Sequence, residues 1–377
     1  MTETQTITQG VTPAHTIVEK TFGLEYFTTM PKVVETIEKK AKGKKKVKID
    51  ALAQDVKESP SQDQASSAEG KQRTETIPVF GQNNAKRLVI AVVRETVAPF
   101  INRSEDPEET ISLRVNGREI IEVPARKMKS KEKLAGLRLC RAYGVISGSY
   151  EYNAVEKSSD MENPNSVLFG DSVVVSGDSV MLPSRIKYSS SYSIRERVKL
   201  VNKLTHNALS EQGTMWDRTT GKHRESLFTT EYIQPGAMFP SFIVIDDPTP
   251  ESLVHLLMCL RETRYGAQTS ITGPNIRNTI VAIFACRNEP PVTSYTVTLS
   301  HPELLNAANL RDDLVKAMVQ DLAVYNGLNG KLISGKELGD LLTAVDRLDG
   351  NSMKTIYTKL KHDAVELCNY AGIGKDK

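Results

Sequence analysis

The sequence predicts an α+β fold, in which short strands and amphipathic helices share a core without regular alternation. Apolar, β-rich runs separated by turn residues occupy the middle of the chain, one capped helical segment interrupts them, and the last 70 or so residues have a helical period. The chain has 377 residues, of which 39% are hydrophobic, so it can bury a full core as one large or two medium domains. Its charged share of 25% is that of a globular protein and excludes wholesale disorder.

Residues 1–85 are predicted to form an N-terminal arm. Seven of the ten residues from 39 to 48 are lysine, and residues 59–75 are rich in Ser, Gln, Asp and Lys with no apolar period, which is typical of a linker. Residues 1–10 are polar and unlike a signal peptide. No apolar run reaches the roughly 18 residues that a membrane span needs. We therefore expect a cytoplasmic protein with no membrane partner.

The core is predicted to begin near Lys86. Residues 88–93 read Leu-Val-Ile-Ala-Val-Val, which is typical of a buried central strand. Residues 110–115 and 119–123 flank an Asn-Gly step, the strongest short signal for a β-hairpin. Residues 172–175 and 179–182 are predicted to be two short strands.

The next segments are less regular in their pattern. Residues 194–209 have mixed polarity and are predicted to be irregular or helical. Residues 214–228 contain turn chemistry at Thr220 and Gly221, and we expect a projecting hairpin there. Residues 242–245 are predicted to form a strand.

A helix is predicted over residues 250–263, with Thr249 as its N-cap. A loop at residues 264–277 then leads to a strand at 279–286. This strand-helix-loop-strand order fits half of a split βαβ core, the RRM or ferredoxin-like arrangement. A C-terminal helical region, residues 301–377, follows the core of residues 86–300, with predicted helices at 304–325, 334–346 and 352–370.

The sequence lacks the common signatures of catalysis and metal binding. The four cysteines form no CxxC pair and the six histidines form no HExxH spacing. There is no Walker loop, no GxGxxG after a strand and no GxSxG elbow. We therefore expect a non-enzymatic protein with no cofactor and no structural metal.

Basic residues are locally concentrated, although the net charge is only +3. Residues 118–141 contain eight basic residues against three glutamates. Residues 185–203 contain six against Glu196 alone, with Tyr188 and Tyr192 among them. Cations beside aromatic side chains favour nucleic-acid binding, whereas a solvated surface or flexible tail is the alternative for any single run.

Two further segments have the residue types of an RNA site. Trp216, beside Met215 in the expected hairpin, either packs partly against the core or acts as a wedge between bases. The loop after the predicted helix contains Gly266 and Gly273, which allow close approach to a phosphate. Glycine also ends helices for conformational reasons alone. This loop adds the donor Gln268 and the cation Arg264.

Three motifs in order resemble a known family. The first is Asn-Gly-Arg-Glu-Ile through Pro at 116–124, together with Lys-Leu-Ala-Gly-Leu-Arg at 133–138. The second is the Phe-Gly step within 167–170. The third is Glu…Pro-Gly-x-x-Phe at 231–239, followed by Arg-Tyr-Gly-Ala at 264–267 and by Gly273. Residues 86–286 thereby resemble the repeated guide-RNA-binding backbone subunit of CRISPR effector complexes, in particular that of type I-D Cascade.

The resemblance implies an RRM-like core with an inserted finger (residues 118–165) and thumb hairpin (213–230). It also implies a subunit that oligomerises along crRNA and presents it to target DNA, with copies of itself and with the large, small and cap subunits as partners. The motifs place RNA contacts at Lys133, Arg138, Arg264, Tyr265, Gly266 and Gln268. Charge adds Lys131, Arg141, Arg195 and Arg197, and position adds Met215 and Trp216 at the thumb.

Two alternatives remain open at the level of sequence. Related type III backbone subunits cut target RNA with an aspartate in the loop that corresponds to residues 102–109, where Asp106 could assist a metal; an exposed acidic turn is the other interpretation. The lysines at 39–48 could instead serve a non-specific basic nucleic-acid-binding module.

Overall fold

The computed structural model describes residues 11–28, 86–102, 109–175, 178–207, 216–217, 219–223, 227–265, 274–328 and 330–373. The lysine tract at 39–48 and the linker at 59–75 lie outside these ranges. The strands are β1 (Arg87–Thr96), β2 (Ser112–Val115), β3 (Arg118–Val123), β4 (Asp171–Val175), β5 (Asp178–Leu182), β6 (Ile186–Tyr188), β7 (Ser191–Glu196), β8 (Val201–Asn207), β9 (Trp216–Asp217), β10 (Lys222–His223), β11 (Leu227–Ile233), β12 (Met238–Asp246), β13 (Ile276–Cys286) and β14 (Gly330–Ser334). The helices are α1 (Pro13–Thr21), α2 (Ala125–Ala142), α3 (Pro164–Phe169), α4 (Pro250–Glu262), α5 (Ser294–Ser300), α6 (Leu310–Ala323), α7 (Gly335–Asp346) and α8 (Gly350–Tyr370).

The central sheet has the ferredoxin-like strand order. Its five antiparallel strands run β14-β13-β1-β12-β6, and the chain passes through α2 between β1 and β6 and through α4 between β12 and β13. Without the edge strand β14, this is the β-α-β-β-α-β arrangement. The predicted α+β class with an RRM-like core is confirmed.

Strand β1 is central because both of its faces are apolar. Leu88, Ile90 and Val92 join a core cluster with residues of α1, α4, α7 and α8. Their neighbours in sequence point to the opposite face and join a second cluster that includes Leu314 and Met318 of α6. A strand buried on both faces reads as a continuous apolar run, which is why residues 88–93 could be recognised from sequence.

Helix α4 also matches its prediction. The Thr249 hydroxyl accepts from the Ser252 amide, and the Ser252 hydroxyl accepts from the Thr249 amide, which completes a capping box. In the β2–β3 hairpin, Asn116 and Gly117 have φ values of 49° and 75°, the left-handed conformation of the turn that an Asn-Gly step favours.

The predicted division into arm, core and C-terminal region is not what the structure contains. Ala14 and Val18 of α1 are buried in the same cluster as Ile356 and Leu360 of α8. Strand β14 pairs with β13 within the central sheet. The core therefore does not begin at Lys86, and the C-terminal helices are part of it. The nine residues of α1 are too few for a helical period to identify them as core.

The prediction for residues 194–209 was wrong, because the segment contains the second half of β7 and all of β8. Strand β7 pairs with β3, and β8 pairs with β11 from Val201↔Ile233 to Asn207↔Leu227. Residues 202–205 of β8 are exposed, so their side chains give no alternation of apolar and polar positions. The expected hairpin is therefore longer than residues 213–230, with its arms at β8 and β11 and a short pair, β9–β10, beyond them.

The expected finger at residues 118–165 is not a single projection. Helix α2 lies against α4, and Met128, Leu137 and Cys140 are buried. In the described part of the chain, no helix combines the length and apolarity needed to cross a bilayer.

His255 of α4 is buried without charge. Its Nδ1 lies 2.9 Å from the hydroxyl of Tyr357 in α8, and its Nε2 lies 3.6 Å from Sγ of Cys259. Burial lowers the pKa of His255 from 6.5 to about 4. A base with a depressed pKa in the folded state stabilises that state fully above its unfolded pKa, and this stability is lost as the pH falls.

The free energy of unfolding should therefore decrease between pH 6.5 and 4 by about 3 kcal/mol on account of His255 alone. In a His255→Gln variant, the free energy of unfolding measured by urea titration should lack this pH dependence. Its slope against pH should decrease by the equivalent of about one bound proton. Equal profiles for the wild type and His255→Gln would contradict the assignment.

Candidate nucleic-acid interface

The basic face of α2 is the largest cationic feature of the core. The opposite face of the helix approaches α4 closely at Gly136, where a Cβ atom would lie 2.6 Å from Oδ1 of Asn165 and 2.9 Å from Nε2 of His255. This contact fixes which residues point outward. The outward residues, which we call the α2 basic face, are Arg126, Lys127, Lys131, Arg138 and Arg141.

Most cations of the α2 basic face have no counter-ion. Across the described residues, no carboxylate lies within ion-pair distance of Lys127, Lys129, Lys131 or Arg138; the ion pairs of α2 are those of Glu132 and Lys133. Partial burial and the charge of Arg126 lower the pKa of Lys127, and partial burial and Lys133 lower that of Lys129. Cations crowded in this way are stabilised by a bound anion such as a phosphate.

Lys133, by contrast, belongs to the interior. It is 8% exposed, its Nζ donates to the carbonyl of Gly170 at 2.9 Å, and it lies 3.4 Å from Oδ2 of Asp171. Gly170 has a φ of 79°, and a Cβ atom there would lie 2.9 Å from the Ser184 amide nitrogen. The Lys and Phe-Gly motifs of the sequence therefore meet in one structural contact, and the expected phosphate contact of Lys133 is replaced by this internal one.

Tyr265 is also turned inward, unlike its neighbour Arg264. The tyrosine is 2% exposed, and its hydroxyl donates to Oε1 of Glu132 at 2.6 Å. Burial and the Glu132 charge raise the pKa of Tyr265, so the hydroxyl keeps its proton. The ring is thus not available to stack on a base. Arg264 is exposed, whereas Gly266 and Gln268 lie outside the described residues.

Arg197 fastens the base of the β8–β11 hairpin, and Arg195 is held elsewhere. Arg197 Nη2 donates to both carboxylate oxygens of Glu231, at 2.7 and 2.6 Å, and Oε2 of Glu231 also accepts from the Thr110 amide at 2.9 Å. Arg195 donates to the Ala307 carbonyl at 3.3 Å. The glutamate of the Glu…Pro-Gly motif is therefore a structural anchor.

Arg141 and the hairpin tip are the remaining predicted sites. Arg141 is exposed at the end of α2 and donates to the Tyr150 carbonyl at 3.3 Å. Trp216 is 44% exposed in β9, whereas Met215 lies outside the described residues. Asp106 of the acidic loop does so too. Among the described side chains, no group of three or more His, Cys, Asp or Glu could bind a metal ion.

The structure also pairs charged residues in a way that the sequence did not predict. Arg277 and Arg311 both donate to Glu95, at 2.7 and 2.6 Å, beside the end of β1. Burial alone raises the pKa of Glu95, but these hydrogen bonds lower it below its usual value. Arg94, on the other face of β1, is buried and paired with Glu132 at 2.7 Å. An arginine inside an otherwise apolar strand is the sequence signal from which the burial of Arg94 could have been inferred.

The second face of the sheet is covered. In RNA-binding RRM domains, aromatic side chains on the open sheet face stack on bases. Here Val89, Ala91 and Val93 of that face are buried in a cluster with Val297 of α5 and Met318 of α6. A nucleic acid therefore cannot reach this face, and its candidate contacts are exposed cations outside it, among them those of α2 and Arg264.

Comparisons with known proteins agree with this fold. A family described as Csc2 Crispr matches residues 109–357. The structure is similar to the crystal structure of Thermofilum pendens Csc2, with a TM-score of 0.50 and 16% identity over 75% of this chain and 87% of that chain. A chain of a CRISPR RNA-guided surveillance complex, pre-nicking, gives 0.46 and 9% over 74% and 99%, respectively. A chain of a second structure with the description CRISPR RNA-guided surveillance complex gives 0.41 and 8% over 73% and 99%. No curated protein matches the chain.

The internal role of Lys133 can be separated from a surface role by stability. Lys133→Met should lower the free energy of unfolding by about 3 kcal/mol, because it leaves the Asp171 carboxylate buried without its cation. The matched variant Arg138→Met should change it by less than about 0.5 kcal/mol. Urea titrations measure both, and adding Asp171→Asn to Lys133→Met should recover part of the loss. Similar losses for the two single variants would contradict the internal role.

Proposed function

Because the chain belongs to the Csc2 CRISPR family, we propose that it is the guide-RNA-binding backbone subunit of a type I-D Cascade complex. The observation that supports RNA binding is the α2 basic face. Its cations Lys127, Lys131 and Arg138 lack counter-ions among the described residues, and partial burial together with the neighbouring Arg126 lowers the pKa of Lys127. Phosphate groups of a single RNA strand supply the missing negative charge.

The mechanism is electrostatic and independent of RNA sequence. Lysine and arginine bind phosphates without reading bases, and the covered sheet face leaves no platform for base stacking. In RNA-guided complexes, the target sequence is read by base pairing to the guide, and the protein binds the backbone. Such a subunit needs cations on a rigid element, which α2 provides.

Several copies along one guide RNA form the proposed backbone, together with the large, small and cap subunits, and the guide pairs with target DNA. Family membership supports this assembly. The β8–β11 hairpin and the exposed Trp216 at its distal end are the elements suited to displace a nucleotide from a stacked strand.

RNA binding is tested with a charge-removing triple variant, Lys127→Ala/Lys131→Ala/Arg138→Ala. Its affinity for single-stranded RNA should fall, and the slope of log K against log salt should decrease by about 2, since each lost phosphate contact on a single strand is worth about 0.7. The charge-matched control is Lys336→Ala/Arg347→Ala/Lys354→Ala, which removes exposed cations from α7 and α8. Equal slopes for the two triples would refute the proposed surface.

Assembly is tested with RNAs of increasing length. Light scattering after size-exclusion chromatography should show the mass of the wild-type complex rising in steps as the RNA lengthens, because each copy occupies a fixed length of strand. The α2 triple variant should stop this rise and the control triple should not. A single bound copy at every RNA length would contradict the backbone role.

A further inference from the structure

A buried polar cluster lies beneath the basic surface. Arg94 is 1% exposed and Glu132 is 0% exposed. Arg94 Nη1 donates to Oε1 of Glu132 at 2.7 Å, to the hydroxyl of Tyr265 at 2.8 Å and to Oδ1 of Asn278 at 3.0 Å. The hydroxyl of Tyr188 donates to the other oxygen of Glu132 at 2.5 Å. Strands β1, β6 and β13, helix α2 and the segment after α4 thus meet at one point.

The cluster adds little to the free energy of unfolding. Removing a charged pair from water costs about as much as the pair regains, and well-packed apolar residues of similar volume often stabilise a fold more. Burial by itself lowers the pKa of Arg94, whereas the Glu132 charge and hydrogen bond raise it above its usual value, so the guanidinium remains charged. What a polar cluster provides, and an apolar one does not, is a defined geometry for the groups that it joins.

Three members of the cluster directly follow a basic residue in the sequence. Tyr265 follows Arg264, Asn278 follows Arg277, and Glu132 follows Lys131. In a strand, consecutive side chains point to opposite faces, so a fixed inner residue fixes the direction of its outer neighbour. Arg277 illustrates this, since it is held outside by Glu95 while Asn278 accepts from Arg94 inside.

Tyr265 makes the connection between the two cationic segments. Its hydroxyl bonds to Glu132 of α2 and accepts from Asn278 Nδ2 at 2.7 Å. Its backbone is also held, because the Tyr265 amide donates to Oδ1 of Asn275 at 3.0 Å and its carbonyl accepts from Nδ2 of the same residue at 2.5 Å. The main chain at Arg264 therefore has a fixed position relative to α2.

We infer that the Tyr265–Glu132 contact is a positioning element that fixes Arg264 relative to the α2 basic face, so that both can bind phosphates of one RNA strand. This inference rests on the proposed RNA binding and adds the residues that align its two halves. Tyr265 and Glu132 act through Arg264 and the α2 lysines and do not themselves contact the RNA.

The test is a double-mutant cycle with single-stranded RNA, in which Tyr265→Phe removes only the hydroxyl. Tyr265→Phe should lower affinity about tenfold and reduce the salt slope by about 0.7, the value of one phosphate contact. In an Arg264→Ala background, Tyr265→Phe should have no further effect, because the contact that it positions is already absent. Tyr357→Phe is the matched control, since its hydroxyl is also buried and bonded but lies against His255, and it should leave the slope unchanged.

A purely structural role predicts a different result. If Tyr265→Phe only destabilises the fold, the salt slope of the folded variant equals that of the wild type, and its loss of affinity adds to that of Arg264→Ala in the double variant. Either outcome overturns the inference. If Tyr265→Phe does not fold, Asn275→Ala, which releases the backbone of Tyr265, provides the same readout. If the α2 triple variant binds RNA as well as the wild type does, the proposed function is refuted. If the triple variant loses affinity but Tyr265→Phe binds RNA like the wild type, only the positioning role is refuted.

Discussion

Strand β1 pairs with β12 on one side and β13 on the other, and helices cover both of its faces. The helices that follow are arranged around this strand, whose two faces both have to be covered. Helices α2 and α4 occupy one face because their connections return the chain to the sheet there, while α5 and α6 close the other. The face that an RRM domain leaves open is thereby used for the core. As a result, a ligand can reach only cations that lie outside this face, and those of α2 and Arg264 are among them.

The sequence allowed the prediction of elements whose signals are local. The apolar run at 88–93, the Asn116-Gly117 turn and the Thr249 cap each depend on a few adjacent residues, and each is found as expected. Strand β8 was missed because its residues 202–205 are exposed, and its stability comes from a partner strand more than 20 residues away. Such pairing leaves no pattern in the strand itself.

The sequence predicts which residues of the candidate site are basic, but not which way their side chains point. Residues 118–141 were correctly identified as basic, yet Lys133 faces Asp171 and Lys131 faces outward, although they are only two positions apart. A count of charges contains no information about counter-ions supplied by distant segments. Tyr265 and Arg197 show the same limit, since their partners Glu132 and Glu231 are far from them in sequence.

Gly136 has a consequence for how this surface tolerates mutation. The helix bearing the cations lies so close to α4 that even one added carbon would collide with Asn165 and His255. An alanine at this position would force the buried side chains of Asn165 and His255 to move, or the helix to move away from them, while every charged residue stayed in the sequence. The outward cations can therefore be exchanged one at a time at small cost, whereas a single methyl group on the hidden side alters the packing that positions all of them.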